Sequence, residues 1–225
     1  MRRVIALYYS SVGKKVLMAV SGLVWVGFVI AHMIGNLKVF QGPEKIDAYA
    51  EFLREVGAPA FGHGELLWIG RAIMIVAFLT HTLLAYQTTR LSQQARPVSY
   101  RRKPHMEMAL ASRTMRWGGV FLLLFVVYHL MHFTFGNAHP DFQPGGVHHN
   151  LVTAFQSVPI AFVYIAAVIA LGFHLYHGVW SIFQTLGVNH PRYNRIRRPL
   201  AALIALAVTV GFVSVPVGVL TGVIS

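Results

Sequence analysis

The chain has no cysteine. That absence excludes disulfides, iron–sulfur clusters, thiolate-ligated haem and thioether-attached haem from this polypeptide, whatever its partners contain. Any haem would be non-covalent and held by histidine or methionine. Charge is also scarce, at 12% of 225 residues against 56% hydrophobic, which is too little for an ordinary soluble domain. Acidic residues are the scarcest of all: seven, against 19 basic ones, for a formal charge of +12. In a soluble protein that balance would suggest nucleic acid, but here its distribution along the chain rules that partner out. No cleavable leader is expected either. The first apolar run is full-length and is followed by HMIGNLKVF instead of a small-residue cleavage site, so the first span is expected to stay.

What the chain does have is long uncharged windows, at 16–37, 72–89, 117–140, 142–191 and 199–225. A span needs roughly 20 apolar residues. The fourth window is long enough for a loop plus one helix. A bilayer offers backbone groups no water, so the spans must be helices. The expectation is an all-α integral membrane bundle of five transmembrane helices forming one domain over 1–225, with spans at about 15–37, 66–90, 114–137, 158–188 and 199–224. Fifteen of the 19 basic residues fall before the first span, between the second and third, and between the fourth and fifth. Six of the seven acids fall in the opposite loops. The positive-inside rule then puts the N-terminus in the cytoplasm and the C-terminus outside; a prokaryotic cytoplasmic membrane is the expected location.

Along the chain, Tyr8, Tyr9, Lys14 and Lys15 suit an interfacial entry segment. The first span is expected to break at Gly35-Asn36. After it, Pro43 followed by Ile46, Tyr49, Ala50 and Leu53 gives an apolar stripe, read as a short amphipathic helix on the outer surface. The loop beyond the third span has turn signals at Pro140, Pro144 and Gly145-Gly146, and Pro216 is expected to kink the fifth span.

Each of the first four spans carries a histidine, His32, His81, His129 and His174. A buried ionisable group in a span is expensive and marks a functional site by default. Counting from the outer ends, His32 and His129 lie about 9 and 12 Å deep, and His81 and His174 about 24 and 26 Å deep. Two layers of two imidazoles, about 14 Å apart, match two stacked bis-histidine haems. His132 and His177 each lie one turn from a neighbour on the same face and stand as alternative ligands. Met131 and Met33 are rarer ones, and helix-packing histidines without haem are the competing explanation. Gly27, Gly35, Gly172 and Gly178 could leave room for a porphyrin. For haem propionates, Lys38 and Arg71 sit at the outer level, and Lys15, Arg90, Arg113 and Arg116 at the inner.

The segments SSVGKKVLMAVSGL, HMIGNLKVFQGPEKIDAYAEFL, GRAIMIVAFLTH, FVVYHLMHF and GFHLYHGVWSIFQTLGVNHPRYN resemble the cytochrome b558 family. These are di-haem membrane anchors of succinate dehydrogenases and fumarate reductases. The resemblance covers all five spans and implies that His32, His81, His129 and His174 are the ligands, ahead of His132 and His177. It implies an enzyme subunit whose succinate site is on a partner flavoprotein. An iron–sulfur partner would pass electrons to the inner haem, and a quinone, menaquinone by expectation, would accept them in the lipid. The complex so implied is respiratory complex II, with its link to the tricarboxylic acid cycle. Quinone reduction at the outer side would need a proton donor, for which Glu51, Glu55, Glu65 and His63 are candidates, with Tyr49 and Arg71 as hydrogen-bond donors. A cytoplasmic-side quinone site near Ser21 and Trp25 is the rival. The cytochrome b subunit of another respiratory dehydrogenase, such as a formate dehydrogenase or hydrogenase, and a haem-free anchor or transporter are the alternative readings of the whole chain.

Overall fold

The structure, a computed structural model, describes residues 9–95, 109–188 and 190–225, and among them the regular structure is helix, with no strand. Five segments are long and apolar enough to cross a membrane: Ser11–Gln41, Glu65–Gln94, Thr114–Phe133, Val158–Thr185 and Pro191–Leu220. The protein is an all-helical, multi-pass membrane protein.

Helix α1 (Ser11–Asn36) starts where the Ser10 hydroxyl accepts the Gly13 amide at 2.9 Å, a side-chain N-cap. As expected from Gly35-Asn36, the α-helix ends at Asn36, where it tightens into a 3-10 turn at Leu37–Gln41. Gly42, at φ 95°, turns the chain so that Pro43 can open α2 (Pro43–Glu55) at its first position. Ile46, on the apolar stripe read from the sequence, is buried beneath it. Helix α3 (Glu65–Gln94) follows Gly64, another left-handed glycine at φ 75°.

Helix α4 (Ala109–Phe133) ends four residues before the expected 137. The amides of Thr134 and Phe135 both bond to the Leu130 carbonyl, and Gly136 at φ 76° takes the chain out of the helix. A nine-residue helix that the turn signals hid, α5 (Val147–Phe155), lies in the following loop. Helix α6 (Val158–Thr185) has a proline in its first turn. Helix α7 (Pro191–Leu220) begins eight residues earlier than the expected 199, because Pro191 takes the first helical position and His190 Nδ1 accepts the Arg192 amide at 3.2 Å. Pro199 and Pro216 lie inside this helix without ending it.

Helices α1 and α6 are central. α1 packs on α3, α6 and α7, while α6 packs on α4 and α7 as well. Small residues allow the close approaches that hold membrane helices together. Gly172 of α6 lies against the Thr209 hydroxyl of α7, and Gly211 of α7 against the thioether of Met33 on α1. Outward-facing Ile73, Val76, Leu79, Leu124, Leu203 and Leu206 are exposed, as a lipid-facing surface requires. Helices α2 and α5 cover one end of the bundle. The His148 amide donates to Asp47 at 2.9 Å, and Val39, Ile46, Leu151, Phe155 and Val215 share one buried cluster.

A side chain at Gly172 has to displace Thr209, so Gly172→Leu is expected to destabilise the α6–α7 pair by about 1–3 kcal/mol. A thermal melt of the detergent-purified protein reads this as a lowered Tm. An unchanged Tm would contradict the close packing.

Candidate functional site

Four helices bring four imidazoles together in two pairs. His32 of α1 and His129 of α4 have ring centres 6.0 Å apart, with planes at 79°. His81 of α3 and His174 of α6 stand 6.2 Å apart, at 60°. The two pairs lie at different levels. On α1, the backbone facing His81 is at Gly22, where a Cβ would come within 3.2 Å of the imidazole. His32 is ten residues further on, a rise of about 15 Å. On α6, Tyr164 touches His129, and His174 again lies ten residues on, about 15 Å. The level of the first pair is the one nearer α2 and α5.

Hydrogen bonds at the rings decide which nitrogen is available. His81 Nδ1 lies 3.1 Å from the Met18 carbonyl, which can only accept, so Nδ1 carries the proton and Nε2 keeps its lone pair. Metal-ligating histidines are oriented in the same way, by donating their other N–H to a carbonyl or carboxylate. His129 Nδ1 is 3.4 Å from the Tyr164 hydroxyl. His174 Nδ1 is buried with no hydrogen-bond partner. His32 stacks on Phe28 at 5.3 Å, and its Nε2 lies 3.4 Å from the Asn36 amide nitrogen.

The other two histidines in these spans are placed differently. His132 is wholly buried, and its Nδ1 bonds to the Tyr164 hydroxyl at 2.8 Å. His177 meets Trp180 edge-on at 6.1 Å. Met33 is used in packing against Gly211, and Met131 is exposed. Of the four glycines marked as room for a flat ring, Gly35 and Gly172 are already filled, the first by Tyr49, whose ring would stand 2.7 Å from a Cβ, the second by Thr209. A Cβ at Gly27 or Gly178 would meet nothing within 4 Å.

Tyr164, Gly22 and the Met18 carbonyl are site features that the histidine spacing did not reveal. Tyr164 had a readable signal: it carries the only polar side chain between Ser157 and His174. Gly22 and a backbone carbonyl had none, since glycine and apolar residues fill every membrane helix.

The charged candidates divide between the two ends. Lys38 sits over the Tyr49 ring, 5.1 Å from its centre, and Arg71 over Trp68 at 4.6 Å. Arg90 and Arg116 line one groove between α3 and α4 with Tyr86 and Trp117. Lys15 is exposed on the first turns of α1. The side chain of Arg113 lies outside the described residues. On α2 and the turn after it, Glu55 and His63 are paired at 2.7 Å, and Glu51 bonds to Arg54 at 3.1 Å. Ligand atoms of Glu51, Glu55 and His63 all lie within 4.8 Å of one another, in an exposed group. Glu65 turns back to accept the Gly62 amide at 3.0 Å.

Two imidazoles on opposite sides of one metal ion, each through a bond of about 2 Å, place their ring centres about 6 Å apart. Both pairs fit that spacing. The donor set, neutral nitrogen without thiolate or carboxylate, suits a bis-histidine haem iron. No curated protein and no solved structure matches the chain. Residues 89–214 do match a family, and they hold two of the four paired histidines, His129 and His174. With more than half its length matched, the chain belongs to the succinate dehydrogenase/fumarate reductase transmembrane subunit family, and so is a membrane subunit of that enzyme complex.

Proposed function

We propose that the chain is the electron-transfer anchor of a succinate:quinone oxidoreductase in a prokaryotic cytoplasmic membrane, holding two b haems between its partner subunits and quinone. His32 and His129 would hold the outer haem and His81 and His174 the inner. The observation that carries this reading is the pairing of four histidines from four helices at 6.0 and 6.2 Å. When bound, the haems supply one-electron relays between an iron–sulfur partner and a membrane quinone, menaquinone by resemblance. Succinate chemistry would belong to a flavoprotein partner, as the family resemblance implies.

The chain's own residues orient, insulate and neutralise. The Met18 carbonyl directs His81 Nδ1, leaving Nε2 for a metal. Phe28, Phe125 and Phe133 pack around the outer imidazoles. Lys38 and Arg71 can meet anionic propionates at the outer level, and Arg90, Arg116 and Lys15 at the inner.

Substituting any one of the four histidines with Ala is expected to remove one haem preferentially. Dithionite-reduced spectra of each purified variant would read this as the loss of roughly half the b-type band. Retention of both bis-histidine haems in His174→Ala, with loss of one in His177→Ala, would contradict the assignment.

We place the quinone at the outer end, beside α2, where Tyr49 packs against Gly35 one turn past His32. Glu55 with His63 is the best-formed proton donor there, because the two are hydrogen-bonded to each other while Glu65 is engaged by its own loop. Glu55→Gln is expected to lower succinate-to-quinone turnover roughly 100-fold, the size of a lost general acid. Glu65→Gln is expected to leave turnover near wild type. Electron transfer across the membrane also couples turnover to the potential, at about 2.3 kcal/mol per charge per 100 mV. Assays in sealed vesicles with and without an uncoupler test both points. Indifference to the uncoupler and to every Glu→Gln change at 51, 55 and 65 would reject the outer site.

A further inference from the structure

His129 and His132 lie one turn apart on α4, and both reach the same hydroxyl. Tyr164 of α6 is buried, with its oxygen 2.8 Å from His132 Nδ1 and 3.4 Å from His129 Nδ1. A phenol has one proton, so it donates to one imidazole and can accept only from the other. Two arrangements follow. If the hydroxyl donates to His129, that ring carries its proton on Nε2 and has no lone pair there for a metal. If it donates to His132, His129 returns its Nδ1 proton to the tyrosine oxygen and Nε2 is left open. The distances favour the second arrangement: O–H donors make the shorter bonds and N–H donors the longer.

His132 is held so that it cannot compete. It is 0% exposed and stacks on Tyr128 at 5.3 Å and on His139 at 4.9 Å. Its Nε2 is buried with no partner. His139 is itself fixed, donating from Nε2 to the Asn150 carbonyl at 2.8 Å and accepting the Asp141 amide at Nδ1.

We infer that Tyr164 is a positioning residue: its hydroxyl, shared between His132 and His129, selects the His129 tautomer and makes His129, not His132, the ligand facing His32. The inference rests on the two-haem reading proposed above. It gives the wholly buried His132 a role as the acceptor that fixes the direction of the tyrosine proton.

The test is potentiometric titration and low-temperature EPR of the intact complex carrying Tyr164→Phe, which keeps the packed ring and removes only the oxygen. Losing the acceptor of the His129 N–H lowers that ligand's basicity. One haem's midpoint potential is therefore expected to rise by on the order of 59 mV, tenfold in its reduction equilibrium. Its EPR g-value should shift while the other haem is unmoved. Two unmoved haems, or equal shifts in both, would overturn the inference. His132→Leu is the second variant, and it decides alone should Tyr164→Phe not assemble. It is expected to retain both haems and to displace one potential only. Loss of a haem, or two unmoved potentials, would overturn the assignment. A wild-type complex without haem would instead overturn the two-haem reading itself.

Discussion

A bilayer interior has no water to satisfy an imidazole, so a histidine carried into it has to find its neighbours within the helix bundle. That constraint ties α1 to α4 through His32 and His129, and α3 to α6 through His81 and His174. Helices α1 and α6 serve as the common supports. α1 presents Gly22 and the Met18 carbonyl to His81 at one level and His32 at the other. α6 presents Tyr164 to His129 and carries His174 itself. Because both supports are continuous runs of helix, the two levels are set by a count of residues, and small residues such as Gly172 and Gly211 keep the supports in place.

Much of this was legible in the sequence, for reasons that are specific to membranes. Uncharged windows located all five spans because charge is costly in hydrocarbon. The rise of a helix converted residue numbers into depth, which grouped His32 with His129 and His81 with His174 before any contact was known. The stripe from Ile46 to Leu53 identified α2, since a helix lying on a surface must bury one face only.

Other features escaped for equally physical reasons. VHHNLVTAF, now α5, is preceded by Pro144 and Gly145-Gly146, and a nine-residue helix gives too few turns for a periodic signal. The start of α7 was hidden because PRYNRIRR is polar and charged, yet Pro191 and His190 make a sound helix opening in the interfacial region. Room for a porphyrin could not be read from glycine alone. Gly35 and Gly172 accept neighbouring side chains, while Gly27 and Gly178 remain open, and only three-dimensional packing separates the two kinds. The contact that His129 and His132 share with Tyr164 comes from 35 and 32 residues away along the chain, beyond what spacing on one helix can reveal.

The central claim is that one chain holds two bis-histidine b haems, one per imidazole pair. The most direct measurement is the haem-to-chain ratio of the purified native complex, by pyridine haemochrome assay against quantitative mass spectrometry of the subunits. The account predicts two non-covalent b haems per chain. A ratio of one, or an absence of haem from a complex that still oxidises succinate, would contradict it.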